Sequence, residues 1–410
     1  MDFEATSGIY KMHWPQENIS IRIERIKESS SRGIRGEVWV SNHNDTHPHV
    51  HQAEINLMAT RSRADIAKHA KARFPELDWT ALVEQACVAV IQHWRRGEPA
   101  INLRTLPREE GLRHRMELVG EGGLLFEGQP NLTFGDGGLG KSLWATFLSV
   151  LISGGVATDR LVPEPGNCLY LDYEASPGEV QDRYAAIASG LQIEPPNLYY
   201  RFCHQPVAAE IEQLHQLVAE NDIKFIVVDS AAAACGSKPE EAESAVGFFT
   251  ALRSLKVTSL TIAHTSKAGG GKAGPFGSVF WNNYPRSVWE SKRAQGMGAD
   301  SIEFALWHRK VNSGPLLKPL AYQINFAQDE IVFENMKVEE SDALSQDLSV
   351  PERIRLALKD GSMSANDLAA YLEVNLDVVK VTLSRGKKRF VRVGEHQWGN
   401  LAQTPVNSQS

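Results

Sequence analysis

The chain has 410 residues, a formal net charge of −7, 42% hydrophobic and 23% charged residues. That length allows a sizeable core and two or three domains and excludes a mini-protein. The negative balance excludes a polyanion binder of the histone kind, so any nucleic-acid contact must come from local basic patches. No apolar run of about 18 residues is present to span a bilayer, and Met1–Trp14 lacks the basic-then-apolar pattern of a secretory leader. The expected location is cytoplasmic, without membrane contact. Cys87, Cys168, Cys203 and Cys235 are scattered with no CxxC pair, the pattern of reduced thiols and not of zinc ligands or a disulfide frame.

In chain order, ISIRIERIKES and IRGEVWVSN alternate apolar and polar residues around SSSRG and predict a β-hairpin. RADIAKHAKARF and WTALVEQACVAVIQHWRRG then have helical spacing. Residues 1–115 are expected to be a small α+β module. From 116 to 338 the pattern becomes strands (NLTFGD, CLYLDYE, KFIVVDS, SLTIAHTS) separated by helices, which predicts a mostly parallel sheet covered on both faces. RSVWESKR, IEFALWHRK, LAYQINF and EIVFENM read as further strands joined by short turns. Residues 339–350 read as an acidic linker. Residues 351–400 read as three helices and a hairpin, the order of a winged helix-turn-helix, and 401–410 as a disordered tail.

TFGDGGLGKSLW lies between a predicted strand and a predicted helix. Gly135, Asp136, Gly137, Gly138, Leu139, Gly140, Lys141 and Ser142 fit GxxxxGK[ST] in full, and with Leu143 they form the expected nucleotide-binding run. Glycines let successive N–H groups turn toward a β-phosphate, and the positive end of the following helix adds to them. Lys141 is expected to reach the β/γ-phosphates of ATP and the Ser142 hydroxyl to hold Mg²⁺. KFIVVDS delivers Asp229 to a strand's carboxyl end, where it is expected to orient magnesium water. Directly after it come Ser230 and four alanines, so a hydrolytic carboxylate must come from elsewhere. Glu174, at the end of the strand after the P-loop helix, is expected to orient the attacking water, with Asp172 as its competitor.

With these motifs, residues from about 124 to 333 resemble the RecA/DnaB-type ATPases, and among them the plasmid RepA-like hexameric helicases. The residues carrying the resemblance are GDGGLGKS, YLDYEAS, the RYAAIASGL helix with Arg183, FIVVDS and AHTSK. The resemblance implies a RecA-like core in which Arg183 contacts nucleotide and His264 senses the γ-phosphate. It also implies that Lys267 and Lys272, in a glycine-rich loop, touch single-stranded DNA. Cations supplied by a neighbouring subunit would complete each site; Arg286 and Lys310 are the candidates, with Arg309 competing for the latter role. A homo-oligomer, hexamer or filament, is implied.

Two further signals stand apart. His43, His47, His49 and His51 alternate in HNDTHPHVHQ, a spacing able to bind a transition metal, but with no cysteine or carboxylate cluster beside them a solvated loop is expected. Arg385, Lys387, Lys388, Arg389 and Arg392 concentrate where a recognition helix would run into a wing, as duplex DNA contact requires. Together these features point to an ATP-hydrolysing motor acting on DNA, a replicative helicase of a plasmid, phage or mobile element. An ATP-switched DNA-binding regulator or loader, and a KaiC-like signalling or scaffold ATPase, are the alternatives.

Overall fold

The computed structural model describes residues 1–6, 8–31, 33–97, 100–105, 113–266, 274–296 and 299–401. Strands β1 (Asp2–Thr6), β2 (Ile9–Trp14), β3 (Ile19–Ser29), β4 (Gly33–Asn42) and β5 (His49–Asn56) form one antiparallel sheet in chain order. Alternation in β4 turns Ile34, Val38 and Val40 inward, into one core with Ile66 and Ala70 of α1 (Thr60–Arg73) and Val83 and Val90 of α2 (Trp79–Arg96). The predicted hairpin is β3–β4, and three more strands flank it. His49 and His51 differ from expectation: they stand in a strand, and the His51 ring stacks on His69 of α1 with centroids 4.9 Å apart. Among the described residues no group of three or more His, Cys, Asp or Glu is placed to hold a metal ion.

The core follows as β6 (His114–Leu118), β7 (Gly122–Phe126), β8 (Pro130–Phe134), α3 (Lys141–Gly154), β9 (Leu161–Pro163), β10 (Asn167–Asp172) and α4 (Pro177–Gly190). Next come β11 (Leu198–Phe202), α5 (Ile211–Glu220), β12 (Ile223–Asp229), α6 (Ala231–Ala234), α7 (Ala242–Ser254), β13 (Thr258–Ala263) and α8 (Phe280–Asn283). Strands β14 (Ser287–Ala294), β15 (Ser301–Val311), β16 (Leu320–Phe326) and β17 (Ile331–Met336) complete it. Strand β6 runs across the expected boundary between residues 115 and 116 and pairs with β7 and β9.

Nine strands make one sheet in the order β11-β10-β12-β13-β8-β14-β15-β16-β17. The first six are mutually parallel, and β15 to β17 extend the sheet antiparallel. Strand β12 shows why the parallel half forms. Phe225 and Val227 pack with Leu148 of α3 and Ile187 of α4, while Ile226 and Val228 pack with Leu214 of α5 and Phe248 of α7. A strand buried on both faces must be apolar throughout, as IKFIVVD nearly is. The consequence for function is that every parallel strand ends on one rim, where ligands bind in open α/β sheets.

Residues 339–350 are polar, yet they are anchored. After a 3₁₀ turn (Val338–Glu340) and α9 (Asp342–Ser345), Val338, Leu344 and Leu348 pack on Ala305, Trp307 and Ala321. Asp347 adds an ion pair with Lys292 at 2.5 Å. The C-terminal unit comprises α10 (Val350–Ala357), β18 (Met363–Ser364), α11 (Ala365–Leu372), α12 (Leu376–Arg385), β19 (Phe390–Arg392) and β20 (Gln397–Asn400). Its strands pair in the order β18-β20-β19, and it has its own core of Ile354, Leu368, Leu372, Val379, Leu383 and Phe390. The hairpin therefore gains a third, two-residue strand that composition does not announce. Beyond Leu401 the expected tail lies outside the described residues. No helix among them is long and apolar enough to cross a membrane.

Candidate nucleotide site

Strand β8 delivers the glycine-rich run to the carboxyl rim. At Gly135 a Cβ would lie 2.3 Å from Ser291 Oγ and 2.7 Å from its carbonyl oxygen, so β14 leaves room for glycine alone. Gly138 and Gly140 have φ of +73° and +94°, the left-handed region. A Cβ on Gly137 or Gly138 would meet nothing within 4 Å, so the crest of the loop is open to a ligand. Helix α3 begins at Lys141 with no side-chain cap and no acid in its first turn. Its orphan N–H groups and positive end are thus left for an anion.

Lys141 is 5% exposed, and its ammonium donates to the carbonyls of Gly135 (2.9 Å) and Asp136 (2.6 Å). Burial pulls its pKa down, opposed by the carboxylates of Asp229, Asp136 and Glu174. Asp229 ends β12 level with Asp172 of β10. Burial raises its pKa; hydrogen bonds from Ser142 and from Tyr170 (Oη to Oδ2, 2.7 Å) pull the other way. The Asp229–Ser230 peptide is cis.

The two competing carboxylates have different surroundings. Asp172 is fully buried; Oδ1 accepts from the N–H groups of Glu174 and Ala175, both at 3.0 Å, and Oδ2 from Tyr200 Oη at 2.9 Å. It closes the turn that carries Glu174. The Glu174 carboxylate is exposed, accepts from Ser230 Oγ, and faces the cavity. Strand alternation puts residues 172 and 174 on one face, but β10 ends at Asp172, so that relation does not hold.

A cavity of about 270 Å³ gathers Lys141, Ser142, Glu174, Asp229 and His264, with Arg183 of α4 and Arg293 of β14 on its walls. One guanidinium nitrogen of Arg183, Nη1, is buried without a partner, the kind of orphan donor that an anionic ligand satisfies. A larger cavity of about 570 Å³ lies between β1–β2 and the opposite rim of the core. Four of its charged groups are paired with one another, Arg115 with Glu127 at 2.8 Å and Lys224 with Asp222 at 2.7 Å, and the P-loop residues line the smaller cavity instead, so chemistry favours the smaller one.

Arg286 and Lys310 are remote from this cavity. Arg286 precedes β14, and its N–H bonds the carbonyl of Pro130, the first residue of β8, at 2.7 Å. Lys310 donates to the carbonyls of Asn283 (2.9 Å) and Pro285. Burial, then Arg286 and Arg253, lower its pKa to about 8. Arg253 of α7 is a third cation here, bonded to the Tyr284 carbonyl at 2.8 Å. Arg309, by contrast, is paired with Glu290. Lys267 and Lys272 lie outside the described residues. Arg385, Lys387, Lys388 and Arg389 are exposed where α12 runs toward β19, and Arg392 lies over Trp398 at 5.9 Å.

Sequence reasoning missed Tyr170, Ser230, Arg253 and Arg293. All four meet partners far along the chain, and only the parallel pairing of β14 with β8 could have brought Arg293 to the P-loop rim.

A family model described as an AAA domain matches residues 106–270. A search of curated proteins finds no match. Among solved structures, a KaiC-like protein from the hyperthermophilic archaeon Pyrococcus horikoshii OT3 aligns over 52% of this chain and 91% of its own, with 15% sequence identity and a TM-score of 0.38. The matched domain, the parallel sheet and the GxxxxGK[ST] run on its carboxyl rim support a P-loop ATPase core of the RecA-like kind.

Proposed function

We propose that the chain is an ATP-hydrolysing RecA-like motor that works on DNA as an oligomer, a replicative helicase of a plasmid, phage or mobile element. The observation that carries the reading is the convergence of Lys141, Ser142, Glu174, Asp229 and His264 on one cavity at the positive end of α3. The P-loop N–H groups hold the β-phosphate, and Lys141 exchanges its carbonyl partners for phosphate oxygens. Ser142 and Asp229, already hydrogen-bonded to each other, fit a magnesium ion, which when bound neutralises charge on the triphosphate. Glu174, steadied by Ser230 and by the turn that Asp172 closes, orients the attacking water. His264 follows β13 on the wall of the same cavity, which supports a role in sensing the γ-phosphate and reporting hydrolysis to the loop after it.

Arg286, Lys310 and Arg253 form a cationic cluster at the far end of the β14–β15 pair, and none of the three has a carboxylate within ion-pair distance among the described residues. Such a cluster suits the triphosphate of a neighbouring copy. The C-terminal unit, read as a winged helix, supports duplex contact through Arg385, Lys387, Lys388 and Arg389. The same unit also supports the regulator or loader reading, since a separately cored DNA module can select a site without strand separation. ATP turnover with and without single-stranded DNA, measured alongside particle mass in a non-hydrolysable analogue, tests the motor. A monomer whose turnover ignores DNA would sink it; strand displacement on a forked duplex separates motor from regulator.

A further inference from the structure

We propose that Arg293 is a phosphate ligand of the chain's own nucleotide cavity, a cation held on a P-loop carbonyl until a triphosphate takes its place. This presupposes the nucleotide site described above. Arg293 sits near the carboxyl end of β14, which runs parallel to β8 and so reaches the rim where the P-loop begins. Its guanidinium donates through Nη1 to the Gly138 carbonyl at the crest of the loop and through Nη2 to Gln295 Oε1. Among the described residues no carboxylate lies within ion-pair distance of it, although the wall it shares carries Glu174 and Asp229.

Lys141 shows the same arrangement from the other side, its ammonium lodged on the carbonyls of Gly135 and Asp136. Two cations are thus bound to neutral acceptors of one loop, on either side of the open glycine crest. A bond from guanidinium to phosphate is charge-assisted at both ends, roughly twice as strong as one between neutral groups, and the planar fork can engage two oxygens at once. A triphosphate entering the cradle would draw both cations onto itself. The competing explanation is that Arg293 merely pins the loop through Gly138.

Full-length protein titrated with fluorescent ATP, and with adenosine as a competitor, separates these roles. Arg293→Ala should weaken triphosphate binding by on the order of 10- to 100-fold and leave adenosine competition unchanged. Arg293→Lys should restore part of the loss. Arg293→Gln, which keeps a polar N–H donor without the charge, should not. Rescue by Gln, or equal losses for ATP and adenosine, would overturn the proposal in favour of pinning. Lys141→Ala is the control for the site itself. If Lys141→Ala weakens ATP and Arg293→Ala does not, the Arg293 assignment alone is wrong. If neither changes binding, the nucleotide reading of the cavity falls. Melting temperatures of all variants identify any loss due to unfolding.

Discussion

Arg286 and Arg293 mark opposite ends of one strand: the first has its N–H on Pro130 at the start of β8, the second has its guanidinium on Gly138 in the P-loop. They stand seven positions apart, about 23 Å at about 3.3 Å per residue. Arg286 therefore cannot serve the phosphate site of its own chain while β14 stays paired. Arg286→Ala is expected to leave nucleotide binding intact and depress hydrolysis by on the order of 10³-fold or more, as loss of a finger does. Mixing is the decisive measurement. An Arg286→Ala chain with an intact cradle, combined with a Lys141→Ala chain, should regain turnover at mixed interfaces. Co-assembled mixtures that stay inactive would remove Arg286 from the neighbour's site.

Glu174→Gln is expected to bind ATP normally and to lose on the order of 10²- to 10⁴-fold in turnover, because the amide keeps the shape and loses the base. Asp172→Asn should behave differently. It exchanges a carboxylate that accepts three hydrogen bonds for an amide whose NH₂ can be met only if the Tyr200 hydroxyl reverses, in a fully buried position, and should cost about 1–3 kcal/mol of stability. Melting temperature and single-turnover rate on both variants check this. A normal melt with abolished turnover in Asp172→Asn, beside an active Glu174→Gln, would exchange the two assignments.

What could be read from the sequence was what is contiguous. The P-loop is eight adjacent residues, and β12 announces itself because both of its faces are buried. The capping of α10 is equally local: Ser349 and Glu352 bond each other within one turn. The partners that decide roles lie far along the chain. Tyr170 meets Asp229 across 59 positions and Arg293 meets Gly138 across 155, distances at which no periodicity speaks. Residues 339–350 were hidden for another reason. Their composition is polar, and the apolar contacts that hold the segment to the sheet come from Leu344 and Leu348 and from Val338 just before it. The histidines of β5, His49 exposed and His51 half-buried, likewise do not look like strand residues until β4 pairs with them.

The C-terminal unit has a closed core and capped helices, so residues 349–401 are expected to fold when expressed alone. Duplex DNA titrated into that fragment at several salt concentrations should give a log–log slope that falls by about 0.9 for each phosphate contact removed. Replacing Arg385, Lys387, Lys388 and Arg389 with Gln is the matching variant. A wild-type fragment that folds but binds no duplex at low salt would make this face a protein-docking surface.

Lys310 carries a pH signature of its own. Its folded pKa of about 8 lies below the ordinary lysine value of 10.5, through burial first and then through Arg286 and Arg253. Between those two values the unfolded chain binds a proton that the folded chain does not, so this group makes stability rise with pH across that window. Below about 8 both states are protonated, and the cost of holding the charge is present in full. Activity should move the other way. A neutral Lys310 cannot neutralise a neighbour's phosphate, so turnover is expected to fall as pH rises through about 8 while the melting temperature climbs. Lys310→Arg keeps its charge throughout and should flatten that alkaline limb. Arg253→Ala removes one repelling cation and should shift the midpoint upward. Lys141 is the other amine whose pKa burial depresses. A limb that persists unchanged in Lys310→Arg would take the titration away from Lys310, and the cluster around it would lose its part in hydrolysis.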